Sequence, residues 1–487
     1  MQINLSSRIS FKIVYYFVSQ LAERFLAFLS LILIAKQFQP DGYGIWTQFL
    51  TTASIAVAIL TSGVSAFIIQ VNSQFFEKYF RRKLYQYLLL CIILLILIFI
   101  INQFLRNRFA YFIFSNDVYN DLFLLLLVYI FSEICLEVVI AILRTQNRVV
   151  YTSNIYLIKV ASRLVIISYM FNVDSLSFNV YFFSFIFLNF CILFFSIFRL
   201  SQNFLNQNIS FQHSDQHSIR HLVKFFLSLT FISLLYASNN FLNRYILVHQ
   251  ENLFDLGSYS LSYTFASTLS LIYSSIGFVL YPIIATHITD LNYIKLAIDK
   301  YIVAYTTVSI ILISLYFALG PTIIVFFSSP EYETNRLNLL LLTTAVFLFG
   351  FHQLIAYILI VKKDFRTIIK MLLITNLFNI PVTLIMVQLL GLLGASLSLF
   401  ICNLTLFLLT LNYFRNRINW LATPILLLAL KFIFMYLTSY FVVFYLYTIT
   451  RSSILSFSVA ACLITTIIYI DLRKNSHSLL RMVLDEA

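Results

Sequence analysis

Long apolar runs separated by short polar clusters dominate this sequence. Most runs have about the 20 residues that a helix needs to cross a hydrocarbon core roughly 30 Å thick. A transmembrane β-barrel would instead show short segments of alternating hydrophobicity, so the pattern predicts helices. The approximate bounds of the fourteen predicted spans are 13–35, 45–71, 84–104, 122–143, 151–171, 178–198, 222–247, 257–286, 301–319, 337–361, 368–390, 394–412, 421–445 and 453–470.

Composition agrees with an all-α integral membrane protein. Apolar residues make up 61% of the 487 positions and charged residues only 10%, against roughly 25% charged in an average soluble protein. The first run is too long for a signal peptide and lacks a small-residue cleavage site. All five cysteines fall inside predicted spans without metal-ligand spacing, so no metal site is predicted. Pro282 predicts a kink or break near the end of the eighth span.

Basic residues are unevenly divided between the two sides of the predicted bundle. With the N-terminus inside, inner segments hold 22 of the 32 Lys and Arg residues and outer connections hold five, the other five lying within spans. Because basic residues accumulate on the cytoplasmic side, we expect both termini in the cytoplasm. The net charge of +13 is dispersed among these topology signals, so no nucleic-acid partner is predicted.

The longest polar connection, residues 201–221, divides the chain into two predicted lobes. We expect an N-terminal six-helix lobe at 1–210 and a second six-helix lobe at 211–412. Helices 13 and 14 and a cytoplasmic tail would follow at 413–487. Two matched spacings, Lys12–Asp41 with Lys224–Asp255 and Gly44–Gly63 with Gly257–Gly277, favour a duplication, which is common in transporters.

Motifs of membrane enzymes are missing from the sequence. The outer connections are short, and the sequence contains no GxxxxGK[ST], HExxH or GxSxG pattern. Glu331 and Glu333 lie in an outer loop at a spacing that favours a solvated turn over a catalytic dyad. We therefore predict a transporter rather than an enzyme.

Two stretches resemble a known family. Residues 35–63 read AKQFQPDGYGIWTQFLTTASIAVAILTSG, and residues 251–266 read ENLFDLGSYSLSYTFA. They are similar to the first hairpin and to the opening of the second half in the lipid-linked oligosaccharide flippases of O-antigen and capsule assembly. That family belongs to the multidrug/oligosaccharidyl-lipid/polysaccharide exporter superfamily. The fourteen-span layout is similar over essentially the whole chain, while the motifs are short.

The resemblance implies two lobes around a central cavity, alternating access, and a polyprenyl-pyrophosphate-linked oligosaccharide as cargo in a bacterial cytoplasmic membrane. Its expected partners are this cargo, membrane lipids and other polysaccharide assembly proteins. One alternative is a multidrug-type cation-coupled exporter of the same fold, which would favour an acidic cavity. A second alternative is a membrane sugar polymerase or glycosyltransferase.

Charged residues inside the spans are the candidate site. A charge at a helix centre costs about 2.5–3.5 kcal/mol on insertion scales, so such residues usually face a partner or a cavity. Glu133 and Glu137 lie one turn apart in span four, as do Lys159 and Arg163 in span five. Counted from the turn near Asn147, Glu137 is level with Lys159 and Glu133 with Arg163. We expect two stacked ion pairs, which either neutralise the hairpin for insertion or face the cavity and bind substrate or protons.

Other intramembrane residues extend this set. Glu23 and Arg24 are adjacent in span one and point about 100° apart, so we expect Arg24 to face the cavity rather than pair between helices. Arg244 in span seven either faces the cavity or snorkels to the headgroups. Lys431 in span thirteen is a candidate for a lipid phosphate, with snorkelling and packing as alternatives. His352 in span ten favours a hydrogen-bonded core residue over a proton relay.

These candidates give the predicted mechanism its chemistry. A pyrophosphate cannot cross hydrocarbon unaided, so fixed cations in a hydrated cavity would bind it while the lipid tail stays in the bilayer. Carboxylates would bind a coupled H⁺ or Na⁺, and no other cofactor is predicted. The substrate-binding candidates are Arg24, Lys159, Arg163 and Arg244, and the ion-coupling candidates are Glu23, Glu133 and Glu137.

Overall fold

The computed structural model describes residues 2–70, 92–93, 96–101, 103–104, 108–115, 119–145, 149–171, 177–204, 219–287, 290–332 and 335–418. All regular structure in these ranges is helical, with no strand among them. The labelled helices are α1 (Gln2–Gln70), α2 (Arg108–Phe114), α3 (Asn120–Thr145), α4 (Val149–Phe171), α5 (Phe178–Phe204), α6 (Ile219–Gln250), α7 (Leu253–Ser267), α8 (Ser270–Thr286), α9 (Leu291–Phe327), α10 (Arg336–Val361) and α11 (Phe365–Ile418), with a 3₁₀ turn at Pro330–Tyr332.

Eight helical stretches within the described residues are long and apolar enough to cross a membrane. The expectation of an all-helical, multi-pass membrane protein is therefore confirmed. Most of span three and all of spans thirteen and fourteen, including Lys431, lie outside the described residues. The total of fourteen spans and the N-in/C-in orientation stay predictions.

Two of the helices are each interrupted by a kink that separates two predicted spans. In α1 the backbone of Gln39 turns to φ 57° directly before Pro40, which has no N–H to continue the helical bonding. In α11 the break falls at Gly391, with φ 55° and ψ −129°, a region that essentially only glycine occupies without strain. Spans one and two are thus the two arms of α1, and spans eleven and twelve those of α11.

The interruption predicted at Pro282 lies elsewhere. Pro282 is inside α8, and the break in span eight occurs at Thr268 and Leu269, between α7 and α8. The N–H groups of these two residues donate to the carbonyl oxygens of Phe265 and Ala266, three residues back. A 3₁₀-type turn replaces the α-helical bonding there, so the sequence correctly indicated an interruption but placed it more than ten residues too late.

The chain forms two compact units, Met1–Ser260 and Leu261–Ala487. In the first unit α1 packs against α3, α4 and α6, while α5 packs against α3 and α4. Stacked rings form its core: the Phe49 and Phe182 centroids are 3.6 Å apart, and those of Trp46 and Phe182 are 4.7 Å apart. These rings, contributed by α1 and α5, form an apolar core beside α3 and α4, the helices that carry the charged residues.

The second unit is built around α10, which packs against α8, α9 and α11. Tyr305 is fully buried there, and its hydroxyl donates to the Phe347 carbonyl oxygen at 2.9 Å. His352 is also fully buried, with Nδ1 2.7 Å from Thr410 Oγ1. This geometry agrees with the interpretation of His352 as a hydrogen-bonded core residue. The division into six-helix lobes at 1–210 and 211–412, with a peripheral pair at 413–487, remains a prediction.

Candidate functional site

A buried charge cluster joins α3 and α4. The Glu133 carboxylate accepts from Lys159 Nζ at 2.5 Å through Oε2 and from Arg163 Nη2 at 2.6 Å through Oε1. The three side chains are 9%, 10% and 17% exposed, respectively. One carboxylate therefore bridges two cations, and these three residues carry a formal surplus of one positive charge inside an apolar bundle.

An amide from a third helix completes the cluster. Asn189 on α5 is fully buried. Its Oδ1 accepts from Arg163 Nη2 at 3.1 Å, and its Nδ2 donates to Glu133 Oε1 and Ser132 Oγ, both at 3.0 Å. Because the amide bonds both partners of the ion pair, it fixes their relative orientation. We call Glu133, Lys159, Arg163 and Asn189 the α3–α5 charge cluster.

Two aromatic rings hold the Arg163 guanidinium. Its Cζ lies 5.1 Å from the Phe185 ring centroid and 5.6 Å from that of Tyr129, within the range of cation–π attraction. The hydrogen bonds to Glu133 and Asn189 leave from Nη2, and Nε is buried without an acceptor among the described residues. Arg163 is thus held in place by contacts that do not use all of its donors.

The predicted pairing of this hairpin is half right. Glu133 does meet Arg163, but the expected Glu137–Lys159 pair is wrong, because Lys159 binds Glu133 instead. Glu137 accepts from the Tyr156 hydroxyl, which is 3.0 Å from both carboxylate oxygens. Depth along the helices alone does not determine which side chains meet. The flexible Lys159 stem allows its ammonium to reach a carboxylate one turn away in depth, and a tyrosine one turn from Lys159 satisfies Glu137.

Arg244 and Arg24, the other two candidate cations within the described residues, differ in burial. Arg244 is only 6% exposed, its Nη1 donates to Thr51 Oγ1 at 2.5 Å, and its Cζ lies 5.3 Å from the Phe241 ring centroid. It therefore does not snorkel to the headgroups in this conformation. Arg24 on α1 is half-buried, and the neighbouring Glu23 accepts from Gln20 Nε2 at 3.0 Å. The cavity-facing position of Arg24 remains a prediction.

Sequence reasoning missed two members of the site. Asn189 is a lone amide near the middle of an otherwise apolar run of α5, which is a recognisable signal because a buried amide needs partners. Tyr129 lies one turn before Glu133 on α3. The chain contains 31 tyrosines, and nothing in the sequence distinguishes this one from the others. Among the described residues, no group of three or more His, Cys, Asp or Glu side chains is arranged to hold a metal ion.

Comparison with solved structures defines the fold class first. An inward-facing multidrug resistance MATE family transporter of the MOP superfamily has a TM-score of 0.61 at 13% identity, covering 81% of this chain and 94% of the transporter. A MOP superfamily transporter from Pyrococcus furiosus Vc1 has a TM-score of 0.56 at 13% identity, covering 84% and 94%. This chain therefore has a MOP-like fold.

Among solved structures of this fold, the lipid II flippase MurJ in an inward closed conformation has a TM-score of 0.73 at 16% identity. The match covers 94% of this chain and 99% of MurJ. At such identities the likeness establishes the fold alone. No protein-family model matches the sequence, and no curated protein sequence does so either.

Proposed function

We propose that this chain is a MOP-type flippase for a polyprenyl-pyrophosphate-linked oligosaccharide, such as an O-antigen or capsule repeat unit, in a bacterial cytoplasmic membrane. It would move the headgroup by alternating access, with the lipid tail left in the bilayer. The fold of the lipid II flippase, matched over nearly the full length of both chains, supports this choice. The cargo, membrane lipids and other polysaccharide assembly proteins are the proposed partners.

The observation that carries the proposal is the surplus cation of the α3–α5 charge cluster. A pyrophosphate bears negative charge that loses its water on entering the membrane, and fixed buried cations replace that hydration. Lys159 and Arg163 share one carboxylate, and Nε of Arg163 has no acceptor among the described residues. Charge-assisted hydrogen bonds from these donors to phosphate oxygens would be short and strong. Arg24 and Arg244 are proposed as further cations along the same path.

A multidrug-type exporter of cationic compounds is the second candidate, because MATE transporters share the fold. A cationic substrate would need a site with surplus negative charge. The α3–α5 charge cluster has the opposite sign, which favours an anionic cargo. A sugar polymerase or glycosyltransferase is the less favoured alternative, since the sequence lacks the large outer loops in which such enzymes usually carry catalytic residues.

Glu137 is the carboxylate that we propose for ion coupling. Glu133 is held by two cations, whereas Glu137 accepts only a neutral hydroxyl among the described residues. Of these two carboxylates, Glu137 is the one left without a cationic partner among the described residues, so it is the one we propose to bind H⁺ or Na⁺. Transport driven by an imposed proton or sodium gradient in vesicles tests this role, and Glu137→Gln should remove the response to the gradient.

Reconstitution into liposomes tests the function directly. The purified protein should move a fluorescent polyprenyl-pyrophosphate disaccharide between leaflets, detected by protection from a reducing quencher added outside. It should neither export an ethidium-type cation nor extend the disaccharide in the presence of sugar donors. The matched control is the same lipid with a neutral headgroup, which should not move. Export of the cation without movement of the pyrophosphate lipid would contradict the proposal.

The proposed orientation rests on the asymmetry of the basic residues. Reporter fusions after Lys83, Arg148 and Lys363 should report the cytoplasm, and fusions near Asp174 and Asp255 should report the outside. An alkaline phosphatase reporter and a fluorescent protein reporter at each position supply opposite signals as internal controls. Any one inverted position would remove at least one span from the predicted fourteen.

A further inference from the structure

The arm of α1 that follows the kink at Gln39 comes almost backbone to backbone with the start of α7. A Cβ built on Gly257 would lie 1.9 Å from the Pro40 carbonyl oxygen. A Cβ built on Gly44 would lie 2.4 Å from the Leu253 carbonyl oxygen. Such distances are far inside van der Waals contact, so only glycine permits this approach at both positions. We call this contact the glycine seam.

Gln48 lies one turn beyond the seam on the same face of α1. It follows Gly44 by four residues and precedes Thr51 and Thr52 by three and four, and residues at these spacings share a helix face. Gln48 is 0% exposed, and neither its amide nitrogen nor its amide oxygen has a hydrogen-bond partner among the described residues. An amide buried in this way costs the closed arrangement stability, because it has given up its bonds to water.

The next turn of the same face is polar and satisfied by α6. Thr51 Oγ1 accepts from Arg244 Nη1 at 2.5 Å, and Thr52 Oγ1 is 2.8 Å from the Tyr245 hydroxyl. The polar side chains of α1 therefore continue from Gln48 to Thr52 along its contact with α6. A permanently closed interface inside a membrane protein would be expected to hold apolar residues instead. Of these three polar residues of α1, Gln48 is the one whose side-chain amide has no hydrogen-bond partner among the described residues.

We propose that the glycine seam opens and closes during transport and that, when it opens, the Gln48 amide binds carbohydrate hydroxyl groups of the cargo, a proposal that rests on the function above. A glutamine amide offers two donors and one acceptor, and sugar hydroxyls provide both complements. Closing the seam breaks these bonds and releases the sugar. The unsatisfied amide also keeps the closed state from becoming too stable to reopen.

Gln48→Leu tests the amide. Leucine removes the unsatisfied group at similar size, so the apparent Tm of the purified protein should rise by about 2–4 °C. Flipping of the pyrophosphate disaccharide should fall about two- to tenfold, as for the loss of one or two neutral hydrogen bonds. A lower Tm would mean that the amide has a partner in the closed state, and unchanged flipping would mean that it does not touch cargo. Either result overturns the proposal.

Accessibility tests the seam without any cargo. Gln48→Cys, in protein whose five native cysteines are replaced, should react slowly with a water-soluble maleimide in detergent. Adding Gly257→Ala, whose methyl group cannot fit against Pro40, should raise the rate at least about tenfold by favouring the open seam. The matched control is Gly320→Ala, where the nearest atom to the new methyl is the side-chain Cδ1 of Leu339 rather than a backbone atom, and the rate should not change.

The outcomes separate this inference from the proposed function. If Gly257→Ala lowers folded yield, Gly44→Ala serves as the second variant, because its clash with the Leu253 carbonyl oxygen is milder. An unchanged labelling rate in a folded glycine variant would mean that the seam does not open, and the inference would fail. Labelling and melting need no cargo, so they remain decisive even if the unaltered protein flips no pyrophosphate lipid. That last result would overturn the proposed function instead.

Discussion

Replacing Glu133 with glutamine is expected to remove most of the folded protein. The substitution leaves Lys159 and Arg163 as two adjacent buried cations, and breaking a buried ion pair by removing one partner typically costs about 3–5 kcal/mol. The monodisperse fraction in fluorescence-detected size-exclusion chromatography should fall sharply, together with the apparent Tm. Combining Glu133→Gln with Lys159→Met should restore only part of the yield, because Arg163 then remains as a single buried cation beside the oxygens of Asn189 and the new amide.

The matched control is Glu137→Gln, one turn away on the same helix. The glutamine oxygen can still accept from the Tyr156 hydroxyl, so yield and Tm should change little. If Glu137→Gln lowered yield and Tm more than Glu133→Gln, the result would support the Glu137–Lys159 ion pair that the sequence predicted. Normal yield for Glu133→Gln would mean that the two cations are well hydrated in the folded protein.

Replacing Lys159 with methionine is expected to separate folding from transport. Glu133 would keep Arg163 and Asn189 as partners, so the remaining ion pair is neutral and the protein should fold. The surplus positive charge would be gone. Since a hydrogen bond to a charged group contributes about 1.5–3 kcal/mol, flipping of the pyrophosphate lipid should fall roughly 10- to 100-fold.

Two variants control this result in the same liposome assay. Lys159→Arg keeps the charge and should retain most of the flipping. Lys36→Met removes a cation from an exposed position on α1 and should leave flipping unchanged. Full flipping by Lys159→Met would restrict the α3–α5 charge cluster to a structural role and would move the proposed headgroup site to Arg24 or Arg244.

The α3–α5 charge cluster also explains how its three charges are accommodated inside a membrane bundle. Each charge alone would be costly at depth, but one carboxylate, two cations and one amide satisfy one another through short bonds. The aromatic rings beside Arg163 pack against its guanidinium without using its remaining donors. Such a cluster can be stable in the absence of cargo and still offer hydrogen bonds to an anion.

The helical class of the protein and most of its helices follow from the pattern of apolar and polar residues along the sequence. Apolar runs of about 20 residues have to become helices in hydrocarbon, because every backbone N–H and C=O must be satisfied within the segment. This alone determined the all-helical class and most of the helices within the described residues. The spacing of Glu133 and Arg163 along one hairpin places them at similar depth, since depth in a helix is proportional to residue number. Their contact was therefore correctly predicted, although the same argument gave the wrong partner for Lys159.

Only the tertiary structure decided which groups share a contact. Depth along a helix does not specify how the helix is rotated about its axis or which third helix packs against it. The sequence therefore could not assign Lys159 to Glu133, and it could not place Asn189 beside Glu133 and Arg163. The site of the break in span eight depended on local backbone bonding at Thr268 rather than on Pro282. Likewise, Gly44 and Gly257 were predicted only as matching positions of a repeat, whereas folding brings their backbones into direct contact. Contacts between residues 200 positions apart depend on how whole helices pack, and no local pattern specifies that packing.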